Sequence, residues 1–223
     1  GDRDHSDTWS IGVLKSNDGG ENWENTGLDW TPSQQRLVNR LLMDPDGPDT
    51  LYAATSAGLY QTIDGGDIWN LKTATHFVDI VFQPGNTAQI YGSTRNGGIF
   101  RSTDYGDNWS QVLNISNGQR TELAVTADDD AVVYALMANN SSGLYGIYKS
   151  TDEGATFSQT FSGSTSNLLG WSCDGSGSNG QGWYDLCIAS DPNNSDIVFV
   201  GGVNTWKSDD GGYDWNIVNH WSS

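Results

Sequence analysis

The sequence predicts an all-β protein, a β-propeller made of four-stranded antiparallel blades. The main observation is a phrase, Ser/Thr-x-Asp-x-Gly-x-x-Trp/Phe, that occurs five times. Successive copies are 46, 40, 48 and 58 residues apart, which is the length of one propeller blade. Composition agrees, because 28 of the 223 residues are Gly and all but four of the 28 acidic residues are Asp, a residue of turns. The aspartates of the phrase are Asp18, Asp64, Asp104, Asp152 and Asp210.

Each position of the phrase has a physical role in a tight turn. The carboxylate of the aspartate can accept backbone N–H groups inside the turn. The glycine two residues later permits a positive φ. The aromatic residue buries the turn against its own blade. We therefore predict that the five aspartates are structural, and that each phrase joins the third and fourth strands, c and d, of a blade.

Alternation of apolar residues and turn signals divide the chain into a half blade at 10–30 and four blades at about 36–74, 76–114, 119–162 and 183–219. A loop at 163–182 is inserted before the last blade. The half blade has only strands c and d, at 11–15 and 23–26. The strands a to d of the full blades are predicted at 37–43, 51–55, 59–62 and from Trp69; at 77–82, 90–93, 99–102 and 109–113; at 123–126, 132–136, 147–150 and 157–161; and at 183–189, 197–201, 205–208 and 215–218.

The half blade at 10–30 affects how the ring can close. Propellers close by completing the first blade with the last, and an open ring leaves strand edges unpaired. We therefore expect the chain to be a segment of a larger propeller, whose remaining blades come from the same longer chain or from another chain. The chain begins without Met or an apolar signal region, which suggests a mature or truncated product.

The charge of the chain excludes several partners. Ten basic and 28 acidic residues give a formal net charge of −18. Phosphate backbones and anionic membrane surfaces would repel such a chain, so we expect no nucleic-acid partner. No apolar run is long enough to span a bilayer, so we expect no membrane span.

The start of strand a is the predicted place for chemistry, because it opens onto the face opposite the repeated turns, beside the central channel. A polar residue lies there in each blade: Asn39, Asp79, Glu122 and Asp185. Alternation puts Leu41, Val81, Ala124 and Cys187 on the same side of these strands. Converging carboxylates can shift one another's pKa and act as acid and base, and a pair roughly 6.5–9.5 Å apart suits inverting glycoside hydrolysis. Alternatively, these groups only solvate a water-filled channel.

The inserted loop lies on the same predicted face and is rich in aromatic residues. Trp171, Trp183, Tyr184 and Trp206 could offer flat faces to sugar rings or peptide side chains. The alternative is that Trp183 and Trp206 pack between blades, since tryptophan buries a large area. With Asn39 and Glu122, these four residues are the ligand-binding candidates.

The repeated phrase resembles the Asp-box of bacterial neuraminidase-like repeats. Similar boxes occur in sialidases, xyloglucanase-type glycoside hydrolases, sortilin-like receptor propellers and photosystem assembly factors. Residues 182–186, 191–193 and 200–208 also resemble a stretch common in large secreted sortilin-like proteins of Bacteroidetes-type bacteria, which often carry a sorting domain for type IX export. This resemblance implies a secreted or cell-surface protein.

If the protein is exported, Cys173 and Cys187, which are 14 residues apart in the chain, are expected to form a disulfide. Exported chains favour disulfides, and a bridge closing this loop would stabilise the fold by about 3 kcal/mol in the chain-entropy model. Two cysteines and three scattered histidines are too few for a zinc site, so no metal or other cofactor is expected. Calcium at the acid-rich turns is the one alternative, although no loop with the known ligand order occurs.

Tests of the sequence for enzyme motifs are mostly negative. The arginine cluster and Arg-Ile-Pro phrase of sialidases, the G-x-S-x-G elbow and the phosphate loop are absent. The favoured hypothesis is therefore a secreted or surface propeller that acts as a binding scaffold for a glycan or a protein. A glycoside hydrolase is the alternative. Its catalytic candidates are Asp79 and Asp185, which resemble in kind the two aspartates of xyloglucanase-type enzymes. An assembly factor that grips a partner protein is the third class.

Overall fold

Regular structure is almost entirely β-strand in the computed structural model, which describes residues 9–222. Within that range the one helix is a short 3-10 turn, Pro32–Gln34. The strands are β1 Gly12–Lys15, β2 Glu24–Asp29, β3 Val38–Asp44, β4 Gly47–Thr55, β5 Gly58–Thr62, β6 Asn70–Thr73, β7 Phe77–Gln83, β8 Asn86–Thr94, β9 Gly98–Ser102, β10 Ser110–Asn114, β11 Gly118–Val125, β12 Val133–Asn139, β13 Leu144–Ser150, β14 Ser158–Ser162, β15 Cys187–Asp191, β16 Asn194–Gly201, β17 Thr205–Ser208 and β18 Asn216–Asn219.

These strands form four four-stranded sheets, each a meander in chain order: β3–β6, β7–β10, β11–β14 and β15–β18. The strands β1 and β2 form a separate antiparallel pair. Four such blades and almost no helix confirm the predicted fold class, a β-propeller built of antiparallel blades. The chain divides into two compact units between Ile80 and Val81, inside β7.

The first unit packs the β1–β2 pair against the blade β3–β6. One buried apolar cluster between them consists of Val13, Leu28, Trp30 and Ala53. The aromatic residue of the second repeated phrase, Trp69, packs against this core and donates its indole N–H to the carbonyl of Gly66 at 3.1 Å. The repeated turn and the blade core are thus a single packed body in this unit.

Two apolar clusters hold the second unit together. The first includes the fully buried Tyr91, Ile99 and Val133 and joins β8 and β9 to the blade β11–β14. The second joins that blade to β15–β18 and takes in Leu168 and Leu169 from the inserted loop. The loop therefore contributes to the core of the unit, although it carries no strand.

The five repeated turns share one hydrogen-bond pattern. In the third copy the hydroxyl of Ser102 donates to Asp104 at 2.8 Å and accepts the N–H of Gly106 at 2.9 Å. The carboxylate of Asp104 also accepts the backbone N–H of Asn108 at 2.9 Å. The glycine has a positive φ in every copy. The Ser or Thr that opens the phrase is therefore part of the turn, a role that the sequence analysis did not assign.

A second regularity, a buried tyrosine on the second strand of a blade, was not predicted. Each of the first three blades carries a fully buried tyrosine on its second strand: Tyr52, Tyr91 and Tyr134. The hydroxyl of Tyr91 donates to the carbonyl of Glu153, and that of Tyr134 donates to the carbonyl of Ser195, at 2.7 and 2.8 Å. In the second unit these bonds tie one blade to the next. The signal was present in the sequence as a tyrosine that follows an aliphatic residue in each strand.

The repeated turns predict how stability responds to acid. The pKa values of Asp18, Asp104 and Asp152 are lowered from 3.8 to about 2. For Asp18 and Asp104 the largest cause is the backbone N–H of Asn22 or Asn108, and for Asp152 it is the hydroxyl of Thr156. Because the folded-state pKa lies below the unfolded one, this stabilisation is complete above the unfolded pKa and is lost as the pH falls towards 2.

We therefore expect the free energy of unfolding in urea to drop between pH 4 and pH 2, and to drop less in an Asp104→Asn variant. Urea titrations at several pH values measure this. Asp107→Asn, a neighbouring exposed acid, serves as the control. Equal acid sensitivity of the Asp104→Asn variant and the wild type would contradict the assignment.

The first strand of the last blade differs from its prediction. It was expected at 183–189, whereas β15 starts at Cys187. Residues 182–184 form a turn, because the N–H groups of Tyr184 and Asp185 both donate to the carbonyl of Gln181, at 2.8 and 3.2 Å. Asp185 precedes the strand, so the predicted alternation of Asp185 and Cys187 along one strand is wrong.

Candidate functional site

A carboxylate cluster lies in the second unit where β11 meets the turn before β15. It consists of Arg120, Glu122 and Asp185. The guanidinium of Arg120 approaches one oxygen of Glu122 with two nitrogens, Nε at 2.9 Å and Nη2 at 2.8 Å. Both side chains are only 14 % exposed. An ion pair that is largely withdrawn from water is screened little by salt, so this charge pair holds a defined geometry.

Arg120 also fixes the turn that carries the aspartate. Its Nη1 donates to the carbonyls of Trp183 and Tyr184, at 3.2 and 2.6 Å. These bonds span more than sixty residues of chain. The side chain of Arg120 therefore holds the residue before Asp185 against β11, and the three members of the cluster come from two blades of the same unit.

Asp185 is the unusual member of the carboxylate cluster. Its Oδ1 is buried and has no hydrogen-bond partner among residues 9–222. Burial raises the pKa of this carboxyl above its ordinary value, and the charge of Arg120 offsets the rise only in part. A carboxyl in this environment keeps its proton to higher pH than an exposed aspartate. It is therefore suited to donate a proton to a bound substrate.

The thiol of Cys187 borders the same cluster. Burial is the largest cause that raises its pKa, and the charges of Glu122 and Asp185 raise it further. Arg120 acts in the opposite direction. All three members of the cluster thus lie within electrostatic reach of one sulfur atom. Of the four polar residues predicted at the starts of the first strands, the cluster contains Glu122 and Asp185.

Two further predicted residues, Asn39 and Asp79, lie in the first unit. Asn39 sits at an irregularity in the pairing of β3 with β4, and its amide donates to the carbonyl of Phe77 at 2.8 Å. Asp79, on β7, is buried, and its Oδ1 lies 3.4 Å from Nε of Arg40. The same oxygen accepts the N–H of Ile80 at 2.9 Å. Asp79 is therefore a buried carboxylate with a cation beside it.

The aromatic candidates divide into exposed and buried residues. Trp183 and Tyr184 form a tilted pair with ring centroids 5.3 Å apart, and Tyr184 is 58 % exposed. Trp171 is also exposed and meets Trp221 edge to face at 6.1 Å. Trp206 is a correction: it is buried in the core cluster between two blades. Its ring faces are covered by protein, so it cannot offer a flat face to a ligand.

The predicted disulfide is a second correction. The structure contains Cys173 and Cys187 as free thiols. Cys187 lies on the first strand of its blade with its sulfur against Gly201 of β16, whereas Cys173 lies in the exposed part of the inserted loop. The loop is held by other contacts. Asn204 donates to the carbonyl of Gly170 at 2.9 Å, which fastens the loop to the turn before β17.

We expect both thiols to react with iodoacetamide in the folded protein without a reductant. Cys187 should react more slowly, because only the thiolate reacts and its pKa is raised. Intact-mass spectrometry before and after labelling measures this. A Cys173→Ser variant, which leaves one thiol, assigns the slow phase. If neither thiol is labelled until a reductant is added, the two cysteines form the disulfide that the sequence predicted.

Among residues 9–222, no three or more His, Cys, Asp or Glu side chains are grouped so that they could hold a metal ion. The same range has no helix that is both long and apolar enough to pass through a bilayer.

Comparison with known proteins points to carbohydrate enzymes. The chain is 23 % identical over 213 residues to a xyloglucanase of a Paenibacillus species, a match that covers 94 % of this chain and 19 % of the relative. It is 26 % identical over 249 residues to the xyloglucanase Xgh74A of Acetivibrio thermocellus, covering 94 % of this chain and 29 % of the relative. The chain therefore spans less than a third of the length of these curated relatives. No protein-family model matches it.

Solved structures show the fold. The GH74 enzyme of Niastella koreensis superposes with a TM-score of 0.69 at 20 % identity, over 95 % of this chain and 34 % of that one. YCF48 from Cyanidioschyzon merolae superposes with a TM-score of 0.52 at 17 % identity, over 92 % of this chain and 63 % of that one. Both are similar in fold to the blades described here, and the first is a much longer chain of which this protein matches a part.

Proposed function

We propose that the chain forms part of a glycoside hydrolase that cleaves a neutral β-glucan of the xyloglucan type. The observation that carries the proposal is the buried, unpartnered Oδ1 of Asp185. Of the two functions that the sequence suggested, the similarity to xyloglucanases favours the hydrolase over the binding scaffold. Such an enzyme acts on a polymer too large to enter a cell, so we expect it to be secreted or attached to the cell surface.

Asp185 acts as the general acid in this proposal. Breaking a glycosidic bond requires a proton on the leaving oxygen, and a carboxyl with a raised pKa holds that proton to higher pH than an ordinary aspartate does. Glu122 is engaged by Arg120 and is therefore better suited to fix the site than to move a proton. Asp79, in the first unit, is the other catalytic candidate that the sequence suggested. A role for it as a second carboxylate rests on the sequence alone and is tested by its own variant.

The aromatic pair beside the general acid suits a sugar ligand. The ring of Tyr184 is exposed next to Asp185 in the chain, and Trp183 supports it from one side. Apolar faces of pyranose rings stack on such surfaces, and an exposed aromatic ring loses little entropy on binding. In the proposal this pair places a sugar ring beside the proton donor.

Incubation of the purified protein with xyloglucan, with reducing ends measured over time, tests the proposal. We expect xyloglucan to be cleaved and an anionic polysaccharide such as polygalacturonate to be left intact, because a net charge of −18 repels it. Proton NMR of the first product gives the anomeric configuration. Saturable binding of xyloglucan with no release of reducing ends would favour the scaffold instead.

A further inference from the structure

A cavity of about 590 Å³ lies in the second unit, away from the carboxylate cluster. It is bounded by the start of β13, the end of β14 and the inserted loop, and we call it the insertion cavity. Its polar lining includes Tyr145, Gln159, Ser162, Ser164, Asn167 and Ser178. Its volume lies within the range of roughly 300–1,000 Å³ that small-molecule sites occupy.

The inserted loop forms a wall of the cavity and is rigidly attached. Asn167 is buried and accepts the N–H of Leu144 at 2.7 Å, while its amide donates to the carbonyl of Asn179 at 3.1 Å. Ser142 pairs with Asn179 as an isolated β-bridge. Because a buried side chain holds both edges of the loop, the cavity is preformed, and a ligand would not have to order it.

The lining of the cavity is electrically neutral. Its side chains are amides, hydroxyls, one leucine and one tyrosine, and none is Asp, Glu, Lys or Arg. In a chain with 38 such residues, 10 basic plus 28 acidic, a large cavity without any is informative. Amide and hydroxyl groups are the usual partners of uncharged hydroxyl-rich ligands. A charged ligand would find no counter-charge here and would lose its hydration.

Two polar groups of the lining are not used by the fold. Neither the hydroxyl of Tyr145 nor the side-chain amide of Gln159 makes a hydrogen bond to any of the described residues. The amide of Gln159 packs over Gly146, where a Cβ would collide with it, and the ring of Tyr145 packs against the core of the unit. Both side chains are thus held in place with free hydrogen-bonding groups at the cavity.

We propose that the insertion cavity binds a neutral oligosaccharide, with Gln159 and the hydroxyl of Tyr145 as its hydrogen-bonding residues. Ser162 and Ser164, whose hydroxyls lie 2.8 Å apart, supply further donors and acceptors at the rim. The ring of Tyr145 supplies an apolar face. This binding site goes beyond the proposed hydrolysis, because none of its residues belongs to the carboxylate cluster. It would hold a polysaccharide chain on the protein whether or not the protein cleaves it.

The preceding blade supplies a matched control. Gln111 occupies the same place on β10 that Gln159 occupies on β14, second in the strand and packed over a glycine of the neighbouring strand. No inserted loop follows β10, so Gln111 lies outside the cavity. Gln159→Ala and Gln111→Ala therefore remove the same group from equivalent, exposed positions, and both should leave the fold intact.

The test is isothermal titration of the whole protein with xyloglucan heptasaccharide, in the wild type and in an Asp185→Asn background that cannot cleave the probe. We expect Gln159→Ala and Tyr145→Phe each to weaken binding about fivefold or more, which is the loss of one hydrogen bond. Gln111→Ala should bind as its parent does. Saturation-transfer NMR should place the sugar against the Tyr145 ring, and a galacturonate oligosaccharide of equal length should not bind.

The proposal is overturned if the heptasaccharide does not bind, if it binds with the same affinity when Gln159 and Tyr145 are replaced, or if the galacturonate probe binds equally well. Binding that depends on Gln159 in a protein without hydrolytic activity supports the cavity and refutes the proposed enzyme. Hydrolysis by a protein whose affinity for the heptasaccharide is unchanged in Gln159→Ala supports the proposed enzyme and refutes the cavity as a binding site. The two proposals therefore fail separately.

Discussion

An Asp185→Asn variant is expected to hydrolyse xyloglucan about 10²–10⁴-fold more slowly than the wild type, which is the usual contribution of a general acid. Asparagine keeps the size of the side chain and removes only the proton that the reaction needs. Initial rates of reducing-end release give kcat and KM. We expect kcat to fall and KM to change little, because the variant still binds the substrate. Asp174→Asn, the same substitution at an exposed aspartate in the inserted loop, is the control.

The pH profile separates a catalytic role from a merely structural one. Because burial raises the pKa of Asp185, the wild type should retain activity to higher pH than an ordinary carboxyl would allow. Activity should then fall as that proton is lost. In the variant this limb of the profile should disappear. Asp79→Asn is measured in parallel, and a similar loss there would support its role as the second carboxylate. Turnover by Asp185→Asn within twofold of the wild type would refute the mechanism.

A Gly154→Ala variant is expected to lose about 2–5 kcal/mol of stability, because the added methyl group meets both an unfavourable backbone conformation and a buried ring. The residue has φ of +75°, and an L side chain in that region costs about 1–2 kcal/mol. The added Cβ would also overlap the fully buried ring of Tyr91, and overpacking of this kind costs about 1–3 kcal/mol. The ring cannot move away without breaking its bond to Glu153.

Gly20 occupies the same position of the first repeated turn and provides the control. Its φ is +95°, but the nearest heavy atom to an added Cβ is Cζ2 of Trp23 at 3.8 Å. Gly20→Ala should therefore show only the backbone cost. Urea unfolding followed by tryptophan fluorescence and by hydrogen exchange measures both variants. Equal losses in the two variants would mean that the contact between Tyr91 and the turn contributes nothing.

The comparison of the two glycines shows why part of the fold was predictable. The hydrogen bonds of the repeated phrase form within its own eight residues, as those among Ser102, Asp104 and Gly106 do. Its structure is therefore determined by local sequence. Strand alternation is equally local. The contact that makes Gly154 different from Gly20 joins residues about sixty positions apart. No pattern within either turn distinguishes the two.

The carboxylate cluster was predictable only in part. Counting polar residues at the starts of the first strands selected Glu122 and Asp185, and both belong to the cluster. The same pattern predicted that Asp185 lies on a strand. The structure places it in a turn that Arg120 holds from another blade. The role of Arg120 was not predicted, because nothing in its own sequence context indicates a bond to residues 183 and 184.

By itself the sequence determined the blades, their turns and the excess of negative charge, since each depends on residues close together in the chain or on composition alone. Tertiary structure decided which side chains lost contact with water. It buried Trp206 between blades, left Tyr184 exposed, left both cysteines as free thiols and formed a neutral cavity bordered by the inserted loop. The physical reason is that burial depends on which distant segments pack together. Burial, in turn, raises the pKa of Asp185.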